Sequence, residues 1–429
     1  MPRLGAAWVR PTSVDPGDLV NRDAEREQLL SVLEDYRNTA MEAGSASARE
    51  ARILISGERG VGKSILTRKV LADFGARHPD QVITATIDAR SLQYRAVLTE
   101  IAKALVEQVR PQAQKHRQNL LPLLSYVELL ATQSQVQKSQ TEAIQTKFGI
   151  GAGIGIEAIA KLTGMFNWEQ SRQSTTGVQT TLTVTDNLLH TAIDLLLAEL
   201  AQSPWFVVIF YDDLDQAITG AGADEILSLF RRVLELHPCI ALVHVRTECC
   251  VDNLKREITE NVELPGLEAD AMQDLLRRRL ETAPREIKEV LGLEKNWHAL
   301  VQLAGLTRNP LVFLRWVLGL LRTQEVPTLD GWATDAALQS IVSTAAPVQG
   351  FDYRVVSRVV AAIDNLPRWF TRPALLESAG EATFSSQDIE DLEKLGLLLP
   401  RYRFQPKGEL YLEPVFDLLR PSVRDKLRG

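Results

Sequence analysis

The sequence is poor in cysteine, and its few cysteines have neither disulfide nor metal-binding spacing. Only Cys239, Cys249 and Cys250 occur among 429 residues, which excludes the disulfide framework of small secreted domains. We therefore expect a reducing, cytoplasmic environment. A long charge-free apolar run is also lacking, and residues 1–8 lack the apolar segment of a signal peptide, so we expect no membrane association.

An excess of positive charge is lacking as well. The formal net charge is −7, which argues against broad nonspecific affinity for nucleic acid, although a local basic patch is compatible with that average. The length and the hydrophobic content of 45% suffice for two to four domains with cores of their own. Composition thus predicts a soluble multidomain protein and leaves its partners open.

A phosphate-binding motif lies at residues 57–64. It fits the pattern G-x-x-x-x-G-K-[ST] and follows a β-branched run, while a helical pattern comes after it. Glycines let backbone N–H groups surround phosphate oxygens, Lys63 brings a positive charge to the outer phosphates, and Ser64 offers a hydroxyl to Mg²⁺. We therefore predict a nucleoside triphosphate site, with Lys63 also acting in catalysis. The predicted contacts are Gly57, Glu58, Arg59, Gly60, Val61, Gly62, Lys63, Ser64 and Ile65.

A second acidic element follows a continuous apolar run at residues 205–211. Such a run predicts a parallel strand buried on both faces, of the kind called a Walker B strand. Its acidic side chains would emerge at the carboxyl edge of the sheet, where ligands bind in open α/β folds. We assign Asp212 to Mg²⁺ and Asp213 to the attacking water as general base. Asp215 is either a residue behind this pair or, as we favour, a helix N-cap.

Residues 18–30 resemble the box that precedes the P-loop in origin-recognition-type AAA+ ATPases and in STAND ATPases. By this resemblance Arg22 would help to frame the nucleotide. Asn21 stands where the family usually has glycine, a departure from the pattern. The alternative is an Asn-capped amphipathic helix with a solvated charged face.

Residues 239–248 predict the next buried strand, and its polar end resembles the γ-phosphate sensor of the same families. The resemblance gives this role to Arg246, which would make a charge-assisted contact only when the γ-phosphate is present. Alternatively, Arg246 is an ordinary surface arginine at the end of a strand. We interpret His244 as a structural residue. Arg256, at the end of a predicted helix over residues 251–257, resembles an arginine finger that acts on a neighbouring subunit. It would otherwise only stabilise the helix dipole.

Residues 305–311 resemble the turn that closes the site in these families. Leu311 occupies the usual sensor arginine position, so Arg308 or Arg315 would have to substitute for it. Pro310 would alternatively pack near the base, as in STAND proteins.

Together the patterns predict an α/β P-loop NTPase with a parallel sheet, a helical lid and a C-terminal winged-helix domain. The expected division is an N-terminal arm at residues 1–17, the ATPase domain at 18–266, the lid at 267–349 and the winged helix at 350–429. Residues 92–109 predict a helix, residues 185–186 predict the cap of an apolar helix that runs to residue 200, and residues 325–350 predict a link that contains proline and alanine. An insertion at 111–180 is predicted to contain a helical stretch near residues 120–130 and a β-hairpin that pairs residues 148–156 with 178–184. It would serve self-association or partner contact, or be purely local structure.

Three helical segments followed by a hairpin carry the resemblance to a winged helix. The third helix begins with Asp388 and Glu390, which suits protein contact or autoinhibition better than DNA, although Arg401, Arg403 and Lys407 lie in the wing. The resemblance implies an ATP-hydrolysing switch that uses ATP and Mg²⁺ and forms a homo-oligomer. It would act through a protein partner or effector in signalling or defence. The alternative is a loader or transposition-regulator type ATPase that assembles on duplex DNA.

Overall fold

The computed structural model describes most of the predicted elements. The described residues are 21–43, 50–89, 94–116, 118–133, 135–137, 164, 181–202, 204–214, 231–246, 256–281, 283–322, 334–346, 352–380, 385–400 and 408–428. No helix within these ranges combines the length and the apolar character that crossing a bilayer requires. Asp215 and the wing cations Arg401, Arg403 and Lys407 lie outside the described residues.

A parallel sheet of five strands forms the centre of the region predicted as the ATPase domain. The strands of the described residues are β1 Ala51–Gly57, β2 Val82–Asp88, β3 Gln135–Gln137, β4 Thr181–Thr183, β5 Phe206–Asp212, β6 Ile240–Arg246, β7 Glu260–Leu264, β8 Leu398–Pro400 and β9 Leu410–Leu412. The order in the large sheet is β2-β5-β6-β1-β7. Every residue of β5 is buried, as predicted for a strand covered on both faces.

The register brings the predicted site residues to one edge of this sheet. Gly57 pairs with Arg246 across β1 and β6, and Asp88 pairs with Asp212 across β2 and β5. Because all these strands are parallel, the P-loop and the acidic end of β5 follow the same carboxyl edge. The predicted α/β P-loop sheet is therefore confirmed.

Helices cover the sheet on both faces. They are α1 Asp23–Ala43, α2 Lys63–Arg77, α3 Tyr94–His116, α4 Leu121–Thr132 and α5 Asp186–Ala201. The first two share an apolar cluster with one face of the sheet, and the other three share a cluster with the opposite face. The hydroxyl of Thr185 accepts a hydrogen bond from the Leu188 N–H, so the predicted cap of α5 is confirmed.

The structure confirms one expectation around the insertion and changes another. The sequence predicted a helix that ends at residue 109, but α3 continues through Pro111 to His116 because Val109 and Ala113 stay buried in the core. The helical stretch predicted near residues 120–130 is confirmed as α4, which packs against α3 and α5. β4 pairs antiparallel with β3. Its predicted partner, residues 148–156, lies outside the described residues.

The lid contains five helices within the described residues: α6 Ala269–Glu281, α7 Arg285–Leu291, α8 Glu294–Leu306, α9 Pro310–Arg322 and α10 Asp335–Ala345. The sequence predicted an irregular link at residues 325–350, and α10 corrects this. Thr334 caps α10, and a Cβ on Gly319 of α9 would lie 2.4 Å from the carbonyl oxygen of Ile341. Glycine is therefore required where α9 and α10 cross.

The C-terminal region follows the predicted order of three helices and a β-hairpin. It comprises α11 Tyr353–Ile363, α12 Arg372–Ala379, α13 Ser386–Lys394, the antiparallel pair β8–β9, a 3₁₀ helix at Pro414–Leu419 and α14 Pro421–Arg428. Ser385 and Asp388 form a capping box at the start of α13. One apolar cluster runs from Leu267 of the lid to Leu427. The winged-helix identity and the domain boundary at residue 349 stay predictions.

Candidate nucleotide-binding site

The P-loop joins β1 to α2, and glycines determine its shape. Gly60 and Gly62 have φ values of 90° and 101°, in the left-handed region that favours glycine. A Cβ on Gly60 would lie 2.4 Å from Leu311 Cβ, whereas no atom lies within 4 Å of one on Gly62. Gly62 is the N-cap of α2 and makes no side-chain cap hydrogen bond, so the first N–H groups of the helix are suited to an anion.

The Lys63 side chain lies over this loop. Its Nζ donates hydrogen bonds to the carbonyl oxygens of Gly57, at 2.8 Å, and Glu58, at 2.9 Å. Lys63 is only 7% exposed. The positive charge is therefore held within the motif rather than extended into solvent.

Asp212 lies at the end of β5 and accepts hydrogen bonds from three side chains, two in α2 and one in β6. Ser64 Oγ donates to its Oδ1 at 2.7 Å, and Arg68 donates to its Oδ2 at 3.1 Å. His244 Nδ1 of β6 lies 3.0 Å from Oδ1. Burial alone would raise the pKa of Asp212, but the hydrogen bond and the charge interaction with His244, the bond from Ser64 and the charge of Arg68 outweigh burial and lower this pKa. Asp212 thus remains a carboxylate beside the Ser64 hydroxyl.

Asp213 follows directly and has a φ of 55°. A positive φ is uncommon for a residue other than glycine, and aspartate tolerates it better than most. The chain therefore turns sharply at the carboxyl edge, where the half-buried Asp213 side chain lies next to Asp212.

Comparison with known proteins agrees with this geometry. The family model for the AAA ATPase domain matches residues 18–243, which is more than half of the chain. The chain belongs to the AAA ATPase domain family. The AAA+ part of the resemblance stated from the sequence is thereby confirmed. No curated protein sequence matches this ATPase.

Solved structures similar to this AAA ATPase include archaeal proteins of low identity. The Aeropyrum pernix ORC2 protein in its ADP form is 12% identical with a TM-score of 0.46, covering 98% of this chain and 97% of that chain. The Walker-type ATPase of Pyrococcus abyssi is 16% identical with a TM-score of 0.40 and coverages of 96% and 97%. Cdc6p from Pyrobaculum aerophilum is 13% identical with a TM-score of 0.40 and coverages of 98% and 97%.

The side chain of Arg22 donates hydrogen bonds to main-chain oxygens of the P-loop and of the segment after β7. It is 4% exposed, and its Nη2 donates to the carbonyl oxygens of Val61, at 3.3 Å, and Pro265, at 2.5 Å. Arg22 thus ties the loop to the chain that leaves β7. Asn21 has a φ of 47°, which explains why an asparagine can stand where the family box usually has glycine.

Arg246 ends β6 and lines a cavity of about 270 Å³ between the P-loop, the lid and the C-terminal region. The cavity wall includes Glu58 and Arg59 of the P-loop, Arg315 of α9 and Glu413. Arg308, by contrast, is exposed and forms an ion pair with Glu268. Of the two substitutes considered for the sensor position, Arg315 is the one beside Arg246 in this cavity.

Asn309 connects the lid to the P-loop, a contact that sequence reasoning missed. Its Nδ2 donates to the Arg59 carbonyl oxygen at 2.7 Å, and its Oδ1 accepts from the N–H groups of Leu311 and Val312. Pro310 begins α9 directly after it and is half-buried. The available signal was an asparagine before proline at a helix start.

Arg256 lies apart from these residues. It is exposed in a turn, and the next residue, Glu257, pairs with Arg52 near the amino end of β1 at 3.3 Å. Since the P-loop follows the carboxyl end of β1, Arg256 is at the opposite edge of the sheet. Most of the helix predicted before it, residues 251–255, is outside the described part of the chain.

Proposed function

We propose that this AAA ATPase binds ATP with Mg²⁺, hydrolyses it, and uses the cycle to switch conformation and assemble with other copies. The observation that carries this proposal is the 2.7 Å hydrogen bond between Ser64 and Asp212. It joins a P-loop hydroxyl to a carboxylate whose pKa is lowered. Oxygen donors of this kind are the ligands that Mg²⁺ prefers.

The residues of this site fit both ATP and Mg²⁺. Ser64 and Asp212 would hold Mg²⁺, while the N–H groups of the P-loop and Lys63 would hold the phosphates. Mg²⁺, when bound, supplies positive charge against the phosphate oxygens. Asp213 would orient the attacking water and accept its proton as general base. Arg246 and Arg315 would add positive charge from β6 and the lid.

The switch is supported by direct contacts from the P-loop to the rest of the chain. Asn309 bonds to the Arg59 carbonyl, and Glu58 forms an ion pair with Arg368 of the C-terminal region. Gly60 leaves no room for a side chain beside Leu311. A nucleotide that shifts the P-loop would therefore also shift the lid and the C-terminal region, because interfaces of this kind have few alternative packings.

A protein partner, in signalling or defence, suits the surface of α13 better than duplex DNA does. This helix carries four acidic residues and a single basic one, Lys394, and its acidic side chains would be repelled by phosphates. The acidic residues are Asp388, Glu390, Asp391 and Glu393. The alternative function, an ATPase that assembles on duplex DNA, predicts binding that weakens steeply with salt.

The test measures molecular mass and ATP turnover with Mg²⁺ and ATP, with ADP, and with added duplex DNA. We expect the molecular mass to rise with ATP but not with ADP, and ATP turnover to require Mg²⁺. Neither the mass nor the turnover should respond to duplex DNA. Absence of nucleotide uptake by folded protein would overturn the proposal. Turnover that rises with duplex in a salt-sensitive way would favour the DNA alternative.

Assembly would bring Arg256 to the P-loop of a neighbouring copy. Arg256→Ala should then lower turnover in the assembled protein by on the order of 100-fold while leaving nucleotide binding intact. Arg231→Ala is the control, because Arg231 is also exposed and pairs with Glu257. Equal turnover of both variants in an assembled sample would remove Arg256 from the mechanism.

A further inference from the structure

His244 is a polar residue in the most buried part of the sheet. It occupies the fifth position of β6, in the sequence Ile-Ala-Leu-Val-His-Val-Arg, and is 0% exposed. Its ring lies edge-on to Phe210, with centroids 4.4 Å apart. A buried imidazole needs hydrogen-bond partners, and their identity indicates what the side chain does.

Both ring nitrogens of His244 face side chains around the P-loop. Nδ1 lies 3.0 Å from Asp212 Oδ1, and Nε2 lies 2.8 Å from Oγ1 of Thr67 in α2. A carboxylate can only accept, so the proton is on Nδ1. Nε2 faces the Thr67 hydroxyl, which is itself 0% exposed and can donate or accept. Thr67, His244 and Asp212 thus form a continuous chain of hydrogen bonds across α2, β6 and β5.

His190 shows by contrast what a different set of partners does. Its Nδ1 faces Asp194 at 3.2 Å and its Nε2 faces the carbonyl oxygen of Arg232 at 3.3 Å. Two acceptors favour a ring with two protons. The hydroxyl of Thr67 can donate or accept, so Asp212 is the partner that fixes a proton on His244, at Nδ1.

We propose that His244, oriented by Thr67, is a positioning residue that holds the Asp212 carboxylate with Oδ1 directed to Ser64. This inference rests on the proposed nucleotide site. The torsion that turns a carboxylate is soft, and Arg68, whose side chain is 52% exposed, already contacts the other oxygen. Without the His244 donor, Arg68 would draw the carboxylate away from Ser64. Partners behind a metal ligand typically change metal affinity by about 10–100-fold.

The first measurement compares ADP affinity in Mg²⁺ and in EDTA by calorimetry for the wild type and three variants. His244→Phe keeps the aromatic packing and removes both polar atoms, His244→Asn keeps a donor near Nδ1, and Thr67→Val removes the hydroxyl alone. We expect the Mg²⁺-dependent gain in affinity to fall about tenfold in His244→Phe and about threefold in Thr67→Val. His244→Asn should recover most of the loss, with EDTA affinity unchanged throughout.

Thr99→Val is the matched control. Thr99 is a half-buried threonine of α3 whose hydroxyl bonds to the Arg95 carbonyl, away from Asp212. It should behave as wild type. An unchanged Mg²⁺-dependent gain in Thr67→Val and in folded His244→Phe, or a loss in His244→Asn as large as that in His244→Phe, would overturn the positioning role. Wild-type protein that binds no ADP in either condition would instead overturn the proposed function and this inference with it.

The second measurement needs no nucleotide. Nitrogen NMR of protein labelled at its six histidines, with His244→Asn to assign the signal, reports which ring nitrogen carries the proton. We expect Nδ1 of His244 to carry a proton. A ring protonated at Nε2 alone would overturn the proposal, because Nδ1 could not then donate to Asp212.

Discussion

The P-loop edge of the sheet and the junction between α9 and the C-terminal region each bury a carboxylate beside arginine, with opposite results. Asp212 accepts from Ser64, Arg68 and His244, and its pKa is lowered despite burial. Glu413 accepts from Arg315 at 3.2 Å. There burial outweighs the attraction of Arg315 and raises the pKa of Glu413. The number of donors therefore decides the direction in which the pKa of each buried carboxylate moves.

This difference suits two separate tasks. A carboxylate held by donors from α2 and β6 provides a stable negative charge where a cation would bind. Burial costs free energy for both Arg315 and Glu413. Separating them should therefore cost little free energy, because solvation of the two charges replaces their lost attraction. The pKa of Arg315 is lowered for the same reason, since burial again outweighs the charge of Glu413. If the proposed switch operates, we therefore expect the junction to open more readily than the P-loop edge.

The largest expected effect is that of a substitution at the P-loop edge. Lys63→Ala removes the positive charge that lies over the loop, so nucleotide affinity should fall by on the order of 100-fold. Calorimetry with ATP measures the change. Lys69→Ala is the control, because Lys69 lies on the same helix and pairs with Asp73. Similar affinities of the two variants would contradict the assignment of Lys63.

Asp213→Asn should slow turnover by about 100-fold and leave ATP binding intact, because an amide cannot act as general base. Asparagine tolerates the positive φ of this position, so the turn should persist. Turnover and ATP affinity are measured on the same sample. Asp80→Asn, an exposed change before β2 at the other end of the sheet, should match the wild type in both. If Asp213→Asn also does so, another group serves as the base.

The junction is probed by a double-mutant cycle on Arg315 and Glu413, which are 22% and 13% exposed. Arg315→Met and Glu413→Gln should each lower the free energy of unfolding by about 1–3 kcal/mol, because each leaves a buried partner unsatisfied. The double variant should lose less than the sum. Urea unfolding measures the four proteins. Arg308→Met, at an exposed pair with Glu268, should cause no measurable change. Additive losses would mean that the pair does not interact.

The smallest expected effect is at His190, and it tests whether hydrogen-bond partners decide the direction of a pKa shift. The hydrogen bond to Asp194 raises the pKa of His190. Its stabilisation is therefore complete below the unfolded pKa of about 6.5 and is lost as pH rises through the higher folded value. Stability should fall by less than about 1 kcal/mol across this window. Unfolding curves between pH 6 and pH 8 measure it, with His190→Gln as reference. The same slope in both proteins would refute the attribution to His190.

The ATPase sheet and the P-loop were predictable because their signals are local. The motif at residues 57–64 specifies glycines, a lysine and a hydroxyl in one short segment, and the apolar run before Asp212 specifies a buried strand. The continuation of α3 through Pro111 was not predicted, and neither was α10. Burial of Val109 and Ala113 overrides the local preference of proline to end a helix. Thr334 and the apolar period of α10 were hidden within a segment that looked like a linker.

The sequence by itself determined which chemical groups are available: a glycine-rich loop with Lys63 and Ser64, and an acidic pair at the end of β5. Only the tertiary structure decided how those groups are held. Asp212 meets His244 and Arg68, Asn309 meets the Arg59 carbonyl, and Glu413 meets Arg315. Most of these partners are far apart in the chain, and the directions of the pKa shifts of Asp212 and Glu413 follow from burial and the number of donors. Periodicity along a sequence reports neither quantity.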